Sequence, residues 1–160
     1  MSIIVAQTSD IRSIAEIISE SNKSVAQQFG INAQNNPKHP SFYTCEWVES
    51  DFERGEKYFV YQLKGVAVGC VAFEHPRPST AYLNRLSVLP AYQRNGIGAA
   101  LVKHVLQYSQ RKQVERVSIG IISDHEILKQ WYLRLGFVEV STKRFEHLPF
   151  DVTYLNYLFQ

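Results

Sequence analysis

Gln93-Arg94-Asn95-Gly96-Ile97-Gly98-Ala99-Ala100-Leu101 decides how the rest of this chain reads. The stretch follows a β-rich segment, Ala81 to Leu89. It opens a segment with helical apolar spacing at Ile97, Leu101, Val105 and Tyr108 that runs to Arg111. A glycine-rich turn at a helix start leaves backbone N–H groups unpaired at the positive end of the helix dipole. Such a turn is an anion site, and diphosphate is a usual guest. Glycine suits it because a Cβ would hold a phosphate away from the backbone. The stretch therefore predicts a phosphate-bearing cofactor. Two familiar phosphate loops do not fit. No Gly-Lys-Ser/Thr follows Gly98 as a P-loop requires, and Leu101 stands where a dinucleotide fingerprint needs its third glycine. The loop also comes too late to be the first βα turn of a Rossmann domain.

One domain spanning 1–160 is expected, large enough to bury roughly two thirds of its unfolded surface. Apolar content of 45% and charged content of 20% are those of an ordinary soluble globule. A net charge of +2 without blocks of like charge argues against nucleic acid or anionic membrane as a main partner. Asp10, Arg12 and Glu16 interrupt any apolar leader, and no run approaches the roughly 18 residues of a membrane span. Cys45 and Cys70 have no metal or redox spacing and read as small buried apolar residues. No metal is expected, and a reducing cytoplasm is the simplest compartment.

Outward from the loop, turn and periodicity signals divide the chain. Ile3 to Ala6 reads as a first strand, and Ser9 or Asp10 can cap a helix with Ile11, Ile14 and Ile18 on one face. Gly30 to Ser41, with Pro37 and Pro40, reads as a loop. Thr44 to Arg54 reads as a helix stopped by Gly55. Lys57 to Leu63 and Val66 to Glu74 form a hairpin about Lys64-Gly65, and Pro76 and Pro78 break the chain before the strand at 81–89. Val114 to Ile122 is a β-branched strand. Ser123 or Asp124 can cap the next helix, which ends at Leu135-Gly136, and Phe137 to Leu148 and Val152 to Phe159 close the chain as strands. The order β-α-α-β-β-β-α-β-α-β-β predicts an α/β fold with a mixed central sheet and helices on both faces.

Gln93, Gly96 and Gly98 fill the pattern Gln/Arg-x-x-Gly-x-Gly/Ala, and Leu86-Ser87-Val88-Leu89-Pro90-Ala91-Tyr92 supplies a strand end and Pro turn before it. In these features the chain resembles the GNAT superfamily of acetyl-CoA-dependent N-acetyltransferases. The element order resembles that fold over essentially the whole chain. Trp131-Tyr132-Leu133-Arg134-Leu135-Gly136-Phe137 resembles the family's late helix, with its Tyr, basic residue and Gly-Phe. Relatives often carry Asn seven residues before the Tyr and Ala four before it. Here those positions are His125 and Leu128.

The resemblance implies direct transfer of an acetyl group from acetyl-CoA to an amine through a ternary complex. It implies that backbone N–H groups of Arg94, Asn95, Gly96, Ile97, Gly98 and Ala99, following Gln93, hold the pyrophosphate. Leu86, Ser87 and Val88 would supply the oxyanion donor and pair with pantetheine, and His125 would donate to the pantetheine arm. Arg94, Lys129 and Arg134 are candidates to add charge near the phosphates. Tyr132 takes the general-acid role for the departing thiolate, since a phenol of pKa ~10 can protonate a thiolate whose thiol has pKa ~8.5. An amine attacks only when neutral, so a base or a water path must take its proton. Some relatives place a Glu early in the fourth strand, where Tyr82 stands here. Glu74, at the end of the third strand, is the candidate base, with His75 beside it and Glu46 and His147 more remote. The acceptor site is expected between the loop 30–43 and the hairpin 146–150, where His39, Phe42, Tyr43 and Phe150 favour a small-molecule amine. The alternatives are a protein or peptide amine and a non-catalytic acyl-CoA binding or sensing domain; retention of Tyr132 speaks against the latter. Tyr154 to Phe159 is a candidate interface strand for a homodimer, because many relatives pair.

Overall fold

The computed structural model describes residues 2–160. Its elements are β1 (Ser2–Val5), α1 (Ile11–Gln28), α2 (Cys45–Glu53), β2 (Lys57–Leu63), β3 (Val66–Arg77), β4 (Thr80–Val88), α3 (Ile97–Arg111), β5 (Arg116–Ile122), α4 (Glu126–Arg134), β6 (Val138–Arg144) and β7 (Asp151–Leu158). The strands form one sheet in the spatial order β1-β2-β3-β4-β5-β7-β6. Among the described residues only β4 and β5 run parallel; every other neighbouring pair is antiparallel. The predicted element order and mixed sheet are both present.

β2 shows why helices cover both faces. Its central residues Tyr58, Phe59, Val60 and Tyr61 are all buried, and alternate side chains leave opposite sides of the sheet. Tyr58 and Val60 pack with Ile14, Ile17 and Ile18 of α1 and Val48 of α2. Phe59 and Tyr61 pack into the larger core on the other face, with Leu101 and Val105 of α3 and Tyr132 of α4. The hairpin turn at Lys64 and Gly65 takes φ of 50° and 79°, the left-handed pair that a tight two-residue connection requires.

Several boundaries differ from the sequence reading. Pro76 does not break the chain, because β3 runs through it to Arg77 and a register shift between Glu74 and Arg77 absorbs its missing donor. The segment after Phe137 is a strand only over Val138–Arg144, and the rest of 145–150 is loop. The strand predicted from Val114 starts at Arg116. α4 is capped by His125, not by Ser123 or Asp124: its Nδ1 accepts the N–H of Leu128 at 3.4 Å. β7 lies between β5 and β6, so its backbone edges are filled, and the sheet's free edges are β1 and β6. Cys70 is buried, which pushes its thiol up to about 12, whereas Cys45 is only half-buried.

The turn after α4 fixes the position of Tyr132. The N–H of Phe137 bonds the carbonyl of Tyr132 at 3.1 Å, and that of Gly136 bonds Leu133 at 3.1 Å. This is a Schellman closure, with the Tyr132 and Phe137 rings in edge contact at 5.3 Å. Gly136 has φ of 104°, and a Cβ there would lie 2.9 Å from the Tyr157 ring. Gly136→Ala should therefore destabilise the fold by about 2 kcal/mol, from strain at a left-handed position plus the clash. Denaturant melts check this, and an unchanged midpoint would contradict it.

Candidate active site

The loop before α3 is held by side chains and leaves its backbone donors free. Gln93 Nε2 donates to the carbonyl of Val88 at 3.0 Å, and Asn95 Nδ2 donates to that of Tyr92 at 3.1 Å. These two side chains shape the turn. Arg94 and Gly96 take φ of 66° and 77°, which curls the chain. α3 has no side-chain cap, and its first internal bond is Ala100 N–H to Gly96 at 3.0 Å. Among the described residues, the N–H groups of Arg94 through Ala99 find no protein acceptor. Six consecutive unpaired donors at a helix N-terminus form an anion cradle that fits a diphosphate. A Cβ at Gly98 would stand 3.5 Å from the Trp131 ring, in ordinary contact.

The cradle opens into a gap in the sheet. β4 and β5 pair only at Thr80–Arg116, Ala81–Val117 and Tyr82–Ser118. Beyond these the strands part, and residues 83–88 face 119–122 without a ladder between them. A register shift between Cys70 and Ala72 puts a bulge in β4 at Arg85 and Leu86, and Arg85 takes φ of 53°. Two cavities fill the gap. One of about 350 Å³ joins Gly96 to Ala99 with Leu86, Val88, Leu128 and Trp131. The other, of about 340 Å³, is lined by Leu86, Ile119, His125, Leu128 and Tyr132 on one side and His39, Arg85 and Phe150 on the other. Leu86 and Leu128 border both, so cradle and cleft are continuous. Gly96 and Ala99 also border a hollow of about 770 Å³ between α3 and the end of β7, with Lys103 on its wall.

Tyr132 is 5% exposed and lines the cleft. Its hydroxyl has no protein partner among the described residues, and burial raises its pKa, so the phenol stays protonated. His39 and His125 line the same cleft. Burial lowers both pKa values and keeps the rings neutral near pH 7. Nδ1 of His39 accepts from the N–H of Ser41 at 3.1 Å, and Nδ1 of His125 from Leu128, so each ring carries its proton on Nε2.

Other predicted side chains lie outside the cleft. The Ser87 hydroxyl turns to the α1 face, where its Oγ accepts from Asn22 Nδ2 at 3.3 Å, while its backbone stays at the end of β4. Glu74 accepts from Asn84 Nδ2 at 2.9 Å and does not line the cleft. His75, Glu46 and His147 are exposed. Lys129 is paired with Glu139 at 3.1 Å. Phe42 is absent from the cleft lining, and Tyr43 borders a neighbouring cavity.

Sequence reasoning missed an ion cluster behind the cleft. Asp51 and Glu56, both buried, meet Arg54 and Arg85. Tyr43 and Tyr58 donate to Asp51 Oδ2 at 2.5 and 2.7 Å. Burial works against the Arg85 charge, but Tyr58, Glu56, Tyr43 and Asp51 together outweigh it. Asp51 three residues after Val48, on the inner side of α2, and Arg85 inside an apolar strand were the available signals.

The family profile described as acetyltransferase (GNAT) family matches residues 14–137, and the chain belongs to that family. It is an acyltransferase with acetyl-CoA as cosubstrate. A stretch of 101 residues is 28% identical to the ribosomal protein bS18-alanine N-acetyltransferase of Escherichia coli K12, covering 61% of this chain and 68% of that protein. The crystal structure of the ribosomal-protein-S18-alanine N-acetyltransferase from Escherichia coli superposes with a TM-score of 0.79 at 17% identity, over 98% of this chain and 92% of that one. The yncA protein of Salmonella typhimurium, solved with its cofactor acetyl-CoA, gives 0.71 at 21% identity, over 99% and 93%. No helix among the described residues is long and apolar enough to cross a membrane.

Gly98→Glu should abolish acetyl-CoA binding in calorimetric titration, by placing a carboxylate at the cradle. Gly98→Ala should bind within a few-fold of the native protein, because its methyl meets only the Trp131 ring at 3.5 Å. Undiminished affinity of the Glu variant would refute the cradle.

Proposed function

We propose that this enzyme acetylates the α-amino group of a protein or peptide N-terminus. The observation that carries this reading is the shape of the acceptor side. The cleft beside Tyr132 does not end there: Arg85, Lys38 and Pro40 border both it and a second cavity of about 360 Å³, walled by Tyr43 and Trp47. A small amine fills the first space only, whereas a peptide has a residue for each. The similarity to bS18-alanine N-acetyltransferases supports the same acceptor class. A free small-molecule amine is the second reading, favoured by the apolar wall that Leu148 and Phe150 give the inner cleft.

Bound acetyl-CoA supplies a thioester carbonyl as electrophile and a thiolate as leaving group. The free N–H groups of Arg94 to Ala99 bind its diphosphate, and the hollow beside Lys103 receives the nucleotide end. Leu86 and Leu128 exclude water along the arm, and the unpaired strand edges at 83–88 and 119–122 offer backbone donors to the arm and to the thioester oxygen. His125 Nε2–H donates to the arm. Tyr132 gives its proton to the sulfur as the C–S bond breaks. Glu74, outside the cleft, takes the ammonium proton through water; the freed amine bonds to the thioester carbon, and the second proton that nitrogen sheds restores the Tyr132 phenol as the CoA thiol leaves.

Incubation with acetyl-CoA, a peptide bearing a free N-terminus and an internal lysine, the same peptide with its N-terminus blocked, and spermidine tests the reading. Mass spectrometry should find acetyl on the N-terminal residue alone; acetylation confined to lysine or spermidine would contradict it. Tyr132→Phe should lower kcat by roughly 100-fold with little change in acetyl-CoA affinity. An unchanged single-turnover rate would remove Tyr132 from the chemistry.

A further inference from the structure

Arg85 is the conformational outlier of β4. A non-glycine residue at φ of 53° inside a strand is strained, and such strain persists where surroundings over-determine it. The surroundings here are the ion cluster, and its hydrogen bonds can be followed atom by atom. Asp51 Oδ1 accepts from Arg54, while Oδ2 accepts from Tyr43 and Tyr58 and lies 3.4 Å from Arg85 Nη2. Glu56 Oε2 accepts from Arg54 at 2.8 Å, and Oε1 accepts from Asn84 at 3.2 Å and from Arg85 Nη2. Arg85 Nε donates to the Tyr58 hydroxyl at 2.8 Å. Both carboxylates are thus fully used. Arg85 Nη1 is left without a protein partner among the described residues, yet it is not sealed from solvent. The Tyr43 and Tyr58 rings flank the guanidinium at 5.4 and 5.6 Å and keep it from swinging.

A cation with a free, immobilised donor therefore stands where the cleft meets the second cavity. Among the described residues, no carboxylate lines the cleft to receive it. Lys38 is the other cation bordering both spaces.

Building on the α-amine reading above, we propose that Arg85 is a specificity-determining residue that holds the oxygen on the carbon next to the acceptor's amine-bearing carbon. That oxygen is the first carbonyl of a peptide or the carboxylate of a free amino acid. A guanidinium fixed beforehand binds such an oxygen with little ordering cost. Amines without a neighbouring carbonyl, such as polyamines and lysine side chains, leave the donor unpaired and react poorly.

The test compares kcat/KM for alaninamide and isopropylamine in the native enzyme and in Arg85→Lys, which keeps the cluster's charge but loses the fork. The same two amines appear in both ratios, so their different basicities cancel. A variant that merely folds poorly loses both rates together. The native enzyme should prefer alaninamide, and Arg85→Lys should reduce that preference by about tenfold or more. Within the same panel, an alanyl peptide favoured over free alanine identifies the peptide carbonyl as the source, and the reverse identifies the free carboxylate. A preference unchanged in Arg85→Lys overturns the assignment of Arg85 while N-terminal acetylation stands. Absence of acetylation of any of these amines by the native enzyme overturns both.

Discussion

The parting of β4 from β5 after three paired residues is the constraint on which the site depends. Parallel strands that stayed paired would leave no slot for an extended arm and no free backbone edge beside a thioester. The bulge at Arg85 and Leu86 accompanies the parting, and bulges bend a strand and increase its twist. The buried pairs of Asp51 and Glu56 with Arg85 tie that bulge to α2 and to the turn that leads into β2. Removing one member of such a cluster leaves a buried charge without its partner, at a cost of about 3–5 kcal/mol. The cluster therefore belongs both to the fold and to the shape of the acceptor side.

The start of α3 makes the complementary contribution. α2 and α4 have a side chain on an early N–H, from Thr44 and His125, and the turn before α1 is closed by Gln7 and Asp10. α3 has none. An uncapped helix start gives up roughly 1 kcal/mol that a Ser or Asp would supply. Here the forfeited cap leaves a run of donors pointing at one place, beside the cavity that leads to Tyr132. The Schellman turn at Gly136 holds Tyr132 at the far end of the same path.

Much of this was legible in the sequence because it rests on local rules. The loop 93–101 reads as an anion site from its glycines alone, and the hairpin about Lys64-Gly65 and the four helices follow from turn chemistry and periodicity. Trp131 to Phe137 showed its Tyr and its Gly-Phe, although the closure that links them became visible only in three dimensions. The ion cluster was not legible, because its members lie on α2, the turn after it, β2 and β4, and only the packing of α2 over the sheet brings them together. The His125 cap was missed because histidine is a rare helix cap, and Ser123 and Asp124 nearby offered more usual ones. Pro76 misled because a bulge can absorb a missing donor, and a bulge has no strong local signature. The side chains of Gln93 and Asn95 hold the loop, while the backbone N–H of Asn95 stays among the free donors. The sequence marked the segment and left open which atoms face outward.

The most direct test of the account is residue-level. Backbone amide NMR spectra of the isotope-labelled enzyme would be recorded during titration with acetyl-CoA, and again with ATP and with NAD. Acetyl-CoA should move the amide signals of Arg94 to Ala99 together with those at the facing edges 83–88 and 119–122, and ATP and NAD should not move this combined set. Signals that move elsewhere, or a response to ATP or NAD equal to that for acetyl-CoA, would contradict it.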